Sequence, residues 1–182
     1  MFRMTQMLPF KYFLAILSLL FLFACATAEP RLDLGIQAFE RGDYKEALQE
    51  LRPLAEEGNS QAQYRLGVMY RQGKGVPQDH EQAVDWFKKA YKEDNSKAAY
   101  SLGLSLYQGR GVEQHYGAAA LLFEKAAKQG LTDAQVRLGR MYKQGQGVDQ
   151  DDVRAYKWLH LAAQKGVTGA ESERDSLARD MT

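Results

Sequence analysis

Apolar side chains recur along this chain with the spacing of two consecutive amphipathic helices. One run of apolar positions at helical intervals lies between 60 and 72, and a second lies between 79 and 90. Gly73-Lys74-Gly75 separates them, and glycine accepts the left-handed backbone of a helix C-cap without strain. The pattern therefore predicts a first helix, here called helix A, that ends at about Gln72, and a second, helix B, that Asp79 caps at its N-terminus.

This pair of helices returns every 36 residues. The repeated landmarks are the dipeptides Leu66-Gly67, Leu102-Gly103 and Leu138-Gly139, and the Gly-x-Gly-Val loops that begin at Gly73, Gly109 and Gly145. Several alanines keep the same step. A fixed period of this length is typical of a solenoid, in which each repeat buries its apolar face only against its neighbours.

The two ends of the predicted array differ from its middle. Near the N-terminus the tighter turn Gly42-Asp43-Tyr44 replaces the longer glycine loop, and Asp43 with Glu46 is expected to cap the second helix. Near the C-terminus, Arg174 and Asp175 hold the positions of the Leu-Gly pair. Polar residues there are what the outward face of a terminal cap requires.

Two of the predicted A helices begin with a capping-box pattern. Ser60 is followed three residues later by Gln63, and Thr132 by Gln135. In a capping box the first side chain accepts a bond from the backbone of the first turn, and the second reaches back to the cap. We therefore expect Ser60 and Thr132 to be the N-caps of their helices.

The repeated residues from about 60 to 169 resemble three Sel1-like repeats, of the pattern Ala-x3-Leu-Gly-x2-Tyr-x2-Gly-x-Gly-Val-x2-Asp-x3-Ala-x2-Trp-x3-Ala. The second repeat departs from it at Leu106, His115 and Leu122, which hold the Tyr, Asp and Trp positions. The N-terminal unit resembles a tetratricopeptide repeat. The resemblance implies an all-α fold: a right-handed α-solenoid that mediates protein–protein interaction, often in bacterial envelope or signalling assemblies. The expected units are 29–59 (tetratricopeptide-like), 60–95, 96–131 and 132–167 (Sel1-like), and 168–182 (capping helix).

The first 28 residues have the features of a secretory signal. An almost unbroken apolar run of 13 residues from 12 to 24 follows a polar start. As a helix this run would span only about 20 Å, well short of the roughly 30 Å hydrocarbon core of a bilayer. Ala26-Thr27-Ala28 fits ordinary signal cleavage, whereas Leu22-Phe23-Ala24-Cys25 resembles a lipobox that would leave Cys25 lipidated. The sequence leaves both readings open, and they predict a periplasmic or secreted protein or an outer-membrane lipoprotein.

Charge and motifs narrow the function classes. The 24 Lys and Arg residues nearly balance the 23 Asp and Glu residues, so no net field indicates nucleic acid as a partner. Gly73-Lys74-Gly75 follows a helix and lacks the ending of a phosphate-binding P-loop. The histidines His80, His115 and His160 lack zinc-ligand spacing. No serine lies in a nucleophile-elbow or Ser-x-x-Lys motif with an apparent base. The sequence therefore predicts no catalytic residue, no metal and no cofactor.

The concave face of the expected solenoid is the remaining candidate site. In the tetratricopeptide geometry that the resemblance implies, helix A lines this face through three positions, two before and two and five after the Leu of Leu-Gly. These positions hold Tyr64, Val68 and Arg71; Tyr100, Leu104 and Tyr107; and Val136, Arg140 and Lys143. Tyr and Arg are frequent anchors of binding hot spots, and the cations favour an acidic segment or a C-terminal carboxylate. The alternative is that the Tyr, Val and Leu residues simply pack between helices.

The sequence thus predicts a non-enzymatic adaptor of the bacterial envelope that binds a protein or peptide in this groove. It predicts no nucleic-acid partner, and a membrane contact only through a lipid on Cys25. Two alternatives stay open: an enzyme or binder that acts on cell-wall glycan or β-lactam, and a structural lipoprotein subunit of an envelope machine.

Overall fold

A computed structural model describes residues 31–181, and within that range the chain forms nine helices and no strand. The predicted signal sequence, both cleavage readings and Cys25 lie outside the described residues. None of the described helices is long and apolar enough to cross a bilayer.

The helices follow one another as antiparallel pairs. Their bounds are α1 31–41, α2 Tyr44–Glu56, α3 Ser60–Gln72, α4 His80–Lys92, α5 Ser96–Gln108, α6 Tyr116–Lys128, α7 Thr132–Gln144, α8 Asp152–Ala163 and α9 Thr168–Asp180. From α2 onward, the main contacts between helices join neighbours along the chain, α2 with α3, α3 with α4 and so on to α9. Such local packing defines a solenoid. The predicted architecture of four helix pairs and a terminal helix is confirmed.

The glycine of each Leu-Gly dipeptide sets how closely the two helices of a repeat approach. A Cβ added at Gly103 would lie 2.7 Å from Cε1 of Phe123, and one at Gly67 would lie 2.6 Å from Cε1 of Phe87. Both phenylalanines are completely buried. The ring of helix B therefore lies directly on the backbone of helix A, which only glycine allows.

The glycine loop joins each repeat to the one before it. Gly73 ends α3 in the left-handed conformation with φ 67°, as predicted, and Gly109 and Gly145 do the same for α5 and α7. The second glycine of each loop lies against the start of the preceding helix B. A Cβ at Gly111, for example, would lie 2.1 Å from the carbonyl oxygen of His80. The loop thus closes the repeat and also anchors it to its neighbour.

The prediction that Ser60 and Thr132 are N-caps is wrong. The N-cap of α3 is Asn59, whose side chain accepts bonds from the amides of Gln61 and Ala62, and that of α7 is Leu131, which makes no side-chain cap. The glutamines of the two patterns are buried and reach backward instead. Nε2 of Gln63 donates to the carbonyl of Ala55, and Gln135 makes the equivalent bond to Ala127. These glutamines therefore join helix A to the end of the preceding helix B.

The helix B caps agree with the sequence in the Sel1-like repeats but not in the N-terminal unit. Asp79 accepts from the amide of Gln82, and His115 replaces it successfully, because its Nδ1 accepts from the amide of Ala118. Asp43 stands at the N-cap of α2, but its side chain makes no cap bond. The predicted cap from Asp43 and Glu46 is therefore wrong, and Glu46 instead pairs with Arg41 at 3.2 Å.

Candidate binding groove

Helices α3 and α5 place four of the nine predicted groove residues around one cleft of about 320 Å³. These four are Tyr64, Arg71, Tyr100 and Leu104. All four are half-buried, so each side chain is held by packing and still presents a surface to solvent. We call this the groove cleft.

The two tyrosines of the groove cleft lie one repeat apart and rest on the core in the same way. The ring of Tyr64 is 6.0 Å from that of Phe87, and the ring of Tyr100 is 5.5 Å from that of Phe123. These are the phenylalanines that the Leu-Gly glycines accommodate. The close packing within each repeat therefore fixes the ring positions before any partner arrives, which lowers the entropy lost on binding.

Four further charged residues surround the tyrosines and are not among the nine predicted groove residues. Arg65, Lys97 and Asp133 line the groove cleft, and Arg137 lies close enough to Tyr100 to affect its ionisation. Arg65 and Arg137 hold the position just before the Leu of Leu-Gly, while Lys97 and Asp133 lie one helical turn earlier. Extending the groove pattern by one turn toward the N-terminus of helix A would have found Lys97 and Asp133, and including the residue beside the first groove position would have found Arg65 and Arg137.

The electrostatics of the groove cleft centre on Tyr100. Burial raises the pKa of Tyr100 above its ordinary value of 10.0, and the Asp133 carboxylate raises it further, while Arg137 and Arg71 act in the opposite direction. The Tyr100 hydroxyl therefore stays protonated at neutral pH and is a hydrogen-bond donor beside two guanidinium groups.

Two other predicted groove residues are engaged within the protein. Val68 is only 7% exposed and packs in a core cluster with Val84 and Phe87. Its assignment to the binding surface is corrected, because its side chain points between the helices. Tyr107 donates from its hydroxyl to Oε1 of Gln146 at 2.6 Å, and its ring stands edge-on to that of Tyr116 at 5.1 Å. Tyr107 therefore links the second repeat to the third.

The predicted anchor Arg140 already holds a carboxylate within the protein. Its Nε donates to both oxygens of Glu173 on α9, at 2.9 and 3.0 Å. The hydrogen bonds to Glu173 raise the pKa of Arg140 above its ordinary value. A partner can use Arg140 only by displacing Glu173, so the role of Arg140 stays a prediction with that added requirement.

The last two predicted residues, Val136 and Lys143, are half-buried on α7. Val136 packs against the C-terminal core cluster, and neither residue lines the groove cleft. In residues 31–181, no cluster of three or more His, Cys, Asp and Glu side chains could hold a metal ion.

Comparison with known proteins gives the family. A protein-family model described as the Sel1 repeat matches residues 60–95, 96–131 and 132–167, more than half of the chain. No curated protein matches the chain.

Solved structures with this fold include three bacterial proteins. A protective antigen of uropathogenic Escherichia coli that displays an SLR fold is 36% identical, with a TM-score of 0.75 over 79% of this chain and 32% of its own. A Sel1 repeat protein from Oxalobacter formigenes is 29% identical, with a TM-score of 0.75 over 79% of this chain and 59% of its own. Cysteine rich protein B of Helicobacter pylori, 21% identical with a TM-score of 0.57 over 71% of this chain and 93% of its own, shares the fold. This chain thus spans less than two thirds of the first two proteins. It belongs to the Sel1 repeat family.

Proposed function

We propose that this protein is a non-enzymatic adaptor that binds a segment of a partner protein in the groove cleft. The observation that carries the proposal is the pair of half-buried tyrosines, Tyr64 and Tyr100, held one repeat apart on the same face. Sel1 repeat proteins are commonly scaffolds for protein–protein interaction, which agrees with this use of the groove. A segment that contacts both tyrosines must cross from one repeat to the next.

The charges around the groove cleft favour an acidic partner segment. Its lining contains Arg65, Arg71 and Lys97 against the single acid Asp133. Arg65 pairs with Glu40 at 3.3 Å, whereas Arg71 and Lys97 form no ion pair with any described residue. Carboxylates on the partner would form ion pairs with these two cations. Long-range attraction between the opposite charges would also speed association.

The predicted export signal supports a location in the bacterial envelope. Cleavage after Ala28 would release the adaptor into the periplasm or beyond, whereas a lipid on Cys25 would hold it at the outer membrane. Mass spectrometry of the mature N-terminus distinguishes free Glu29 from diacylglyceryl-Cys25. Either result leaves the groove cleft unchanged.

Affinity capture from an envelope extract of the source bacterium tests the adaptor function. The bait that carries Tyr64→Ala and Tyr100→Ala removes both ring anchors, and each truncation is expected to cost about 1–3 kcal/mol of binding free energy. The control bait carries Leu121→Ala and Val153→Ala, two side chains that are 70% and 68% exposed on helices α6 and α8. Both baits lose apolar surface, but only the first loses it in the groove.

The expected result is a protein that the wild-type and control baits retain and the tyrosine variant loses at least tenfold. Circular dichroism of each bait checks that the helices remain formed. If the control bait loses the captured protein and the tyrosine variant retains it, the groove assignment is wrong and the outer helix B surface is the binding site.

A further inference from the structure

Three equivalent junctions join consecutive helix pairs, and the first is closed by aromatic rings. Each junction contains three side chains: one from the last turn of helix A, one from the first residue of helix B, and one from the loop of the next repeat. At the first junction these residues are Phe39, Tyr44 and Lys74. The two rings stand edge-on at 5.7 Å, and Nζ of Lys74 lies 5.4 and 5.1 Å from their centroids. A cation over two ring faces completes this packing.

The third junction is closed in a related way. Tyr107, Tyr116 and Gln146 hold the same three positions there. The rings are 5.1 Å apart, and Oε1 of Gln146 accepts the hydrogen bond of the Tyr107 hydroxyl at 2.6 Å. In both outer junctions the loop residue of the next repeat is therefore engaged by an aromatic side chain: Lys74 by both rings, and Gln146 by the Tyr107 hydroxyl.

The middle junction has the same backbone but a different set of side chains. Arg71, His80 and Arg110 hold the three positions, and together they line a cleft of about 690 Å³. The side-chain amides that border it are Gln72, Gln78 and Gln108. None of the lining residues is acidic, and neither arginine forms an ion pair with any described residue. We call this the middle-junction cleft.

We propose that the middle-junction cleft is a binding site for a phosphoryl oxyanion. Two guanidinium groups present planar donor forks that match phosphate oxygens, and the imidazole adds a third group able to donate. A phosphoryl group carries close to two negative charges at neutral pH, which matches two permanent cations. A single carboxylate would compensate only one of them. The polar amides around the cleft supply further hydrogen bonds to the oxygens.

A close backbone contact holds together the segments that carry the basic side chains of the cleft. Gly111 lies against the His80 carbonyl so tightly that no Cβ fits, and this contact ties the loop carrying Arg110 to the start of α4. On the opposite side, Nε2 of Gln78 donates to the carbonyl of Arg71 at 2.9 Å. The backbones that carry all three basic side chains are thus fixed relative to one another.

The anion site does not depend on the proposed adaptor function. Arg71 and Leu104 border both clefts, but His80 and Arg110 line only the middle-junction cleft. A small anion can therefore be tested without any protein partner. Arg110→Gln should lose phosphate binding and still capture the protein partner. The variant with Tyr64→Ala and Tyr100→Ala should lose the partner and still bind phosphate.

A titration with inorganic phosphate tests the proposal. Binding is monitored through the Nε–Hε signals of the arginines in nuclear magnetic resonance spectra. Total ionic strength is kept constant with sodium chloride, and acetate is titrated in parallel. We expect saturable shifts of the Arg71 and Arg110 signals with phosphate, and binding of acetate at least tenfold weaker. Linear, unsaturable shifts with phosphate, or acetate binding of equal strength, would overturn the phosphoryl assignment.

Two variants and one control locate the binding within the cleft. Arg110→Gln introduces the residue type found at the third junction and is expected to weaken phosphate binding about tenfold. Arg71→Tyr with His80→Tyr introduces the ring pair of that junction and is expected to abolish binding. Lys92→Gln removes one exposed charge elsewhere and is expected to leave it unchanged. If Arg110→Gln and Lys92→Gln weaken binding equally, the effect is net charge and the site is disproved.

Glycerol 3-phosphate in place of inorganic phosphate identifies the source of the group. Tighter binding of the ester indicates that the cleft recognises a phosphomonoester on a larger molecule, whereas tighter binding of inorganic phosphate indicates the free ion. Either order supports the site, provided that Arg110→Gln weakens both. An ester that binds unaltered in Arg110→Gln would contradict it.

Discussion

The predicted groove positions divide into an open half, which lines the groove cleft, and a covered half, in which the side chains are held within the protein. On α3 and α5 the groove positions Tyr64, Tyr100 and Arg71 line a cleft, with their outer surfaces available. On α7 the groove residue Arg140, at the position that Leu104 holds on α5, is bonded to Glu173 of α9. The position within the repeat thus does not by itself decide whether a side chain is free to bind, because its neighbours in space can bury it or bond it.

The largest expected effect comes from the framework that both halves share. Gly103→Ala places a Cβ 2.7 Å from the completely buried Phe123 ring, so the ring or the helix must shift within the core. Overpacking of this kind costs about 1–3 kcal/mol, so we expect the free energy of unfolding to fall by roughly 2–3 kcal/mol. Denaturant unfolding followed by circular dichroism measures it.

Gly169→Ala is the matched control, because it makes the same chemical change at a helical glycine. A Cβ there meets nothing within 4 Å. Alanine also favours the helix over glycine by about 0.5–1 kcal/mol, so this variant should be slightly more stable than the wild type. Equal destabilisation by both substitutions would show that the Phe123 contact does not set the spacing of the helix pair.

The second prediction separates a tyrosine that joins repeats from one that faces the groove. Tyr107→Phe removes the hydroxyl that donates to Gln146 and leaves a part-buried acceptor without its partner, so it should cost about 1 kcal/mol of stability. Tyr64→Phe removes a hydroxyl that bonds no described residue and should change stability by less than about 0.5 kcal/mol. Thermal or denaturant unfolding measures both variants. If Tyr64→Phe lost more stability than Tyr107→Phe, Tyr107 would belong to the open half.

The repeat period predicted most of the framework, because residues at one repeat position share one environment. Helix A of the first Sel1-like repeat ends at Gln72, and Gly73 and Asp79 cap the helices as the pattern indicated. Four of the nine groove residues do line one cleft. The period could not reveal the bond between Arg140 and Glu173, since α9 departs from the repeat pattern and no other repeat contains an equivalent pair.

The false capping boxes show a different limit of the sequence. Ser-x-x-Gln is a local pattern, but the acceptor that Gln63 uses is the carbonyl of Ala55 in the preceding repeat. A glutamine that bonds its own helix start and one that bonds its neighbour have the same spacing from the serine. Only the packing of one repeat on the next distinguishes them, and the buried position of Gln63 is the sign of that packing.

The third prediction concerns the ion pair that covers the C-terminal half. Glu173→Gln keeps the shape of the side chain but removes its charge, so Arg140 loses its carboxylate. Because both side chains are partly exposed, solvent screening limits the expected loss of stability to about 0.5–1 kcal/mol, and 1 M salt should reduce it. Unfolding at low and high salt measures the loss.

The same variant also changes what Arg140 can bind. If the pair covers a usable anchor, Glu173→Gln should strengthen binding of an acidic partner segment while it weakens the fold. Glu171→Gln is the control, because Glu171 is exposed on the same helix and forms no ion pair with a described side chain. Unchanged binding by Glu173→Gln would confine the groove to α3 and α5.

The smallest expected effect is the pH dependence of stability that Tyr100 contributes in the open half. Burial and the Asp133 carboxylate hold its folded pKa above the ordinary 10.0, so the unfolded chain loses this proton first as pH rises. The contribution is fully present below pH 10 and is lost as pH rises through the folded pKa. The free energy of unfolding should therefore decrease between about pH 9 and about pH 11, and it should decrease less in Tyr100→Phe than in the wild type. The phenylalanine variant has no hydroxyl proton to lose at this position. A fall in Tyr100→Phe as large as that in the wild type would show that the Tyr100 hydroxyl is as well solvated as that of a free tyrosine, and that the groove cleft is shallower than its geometry indicates.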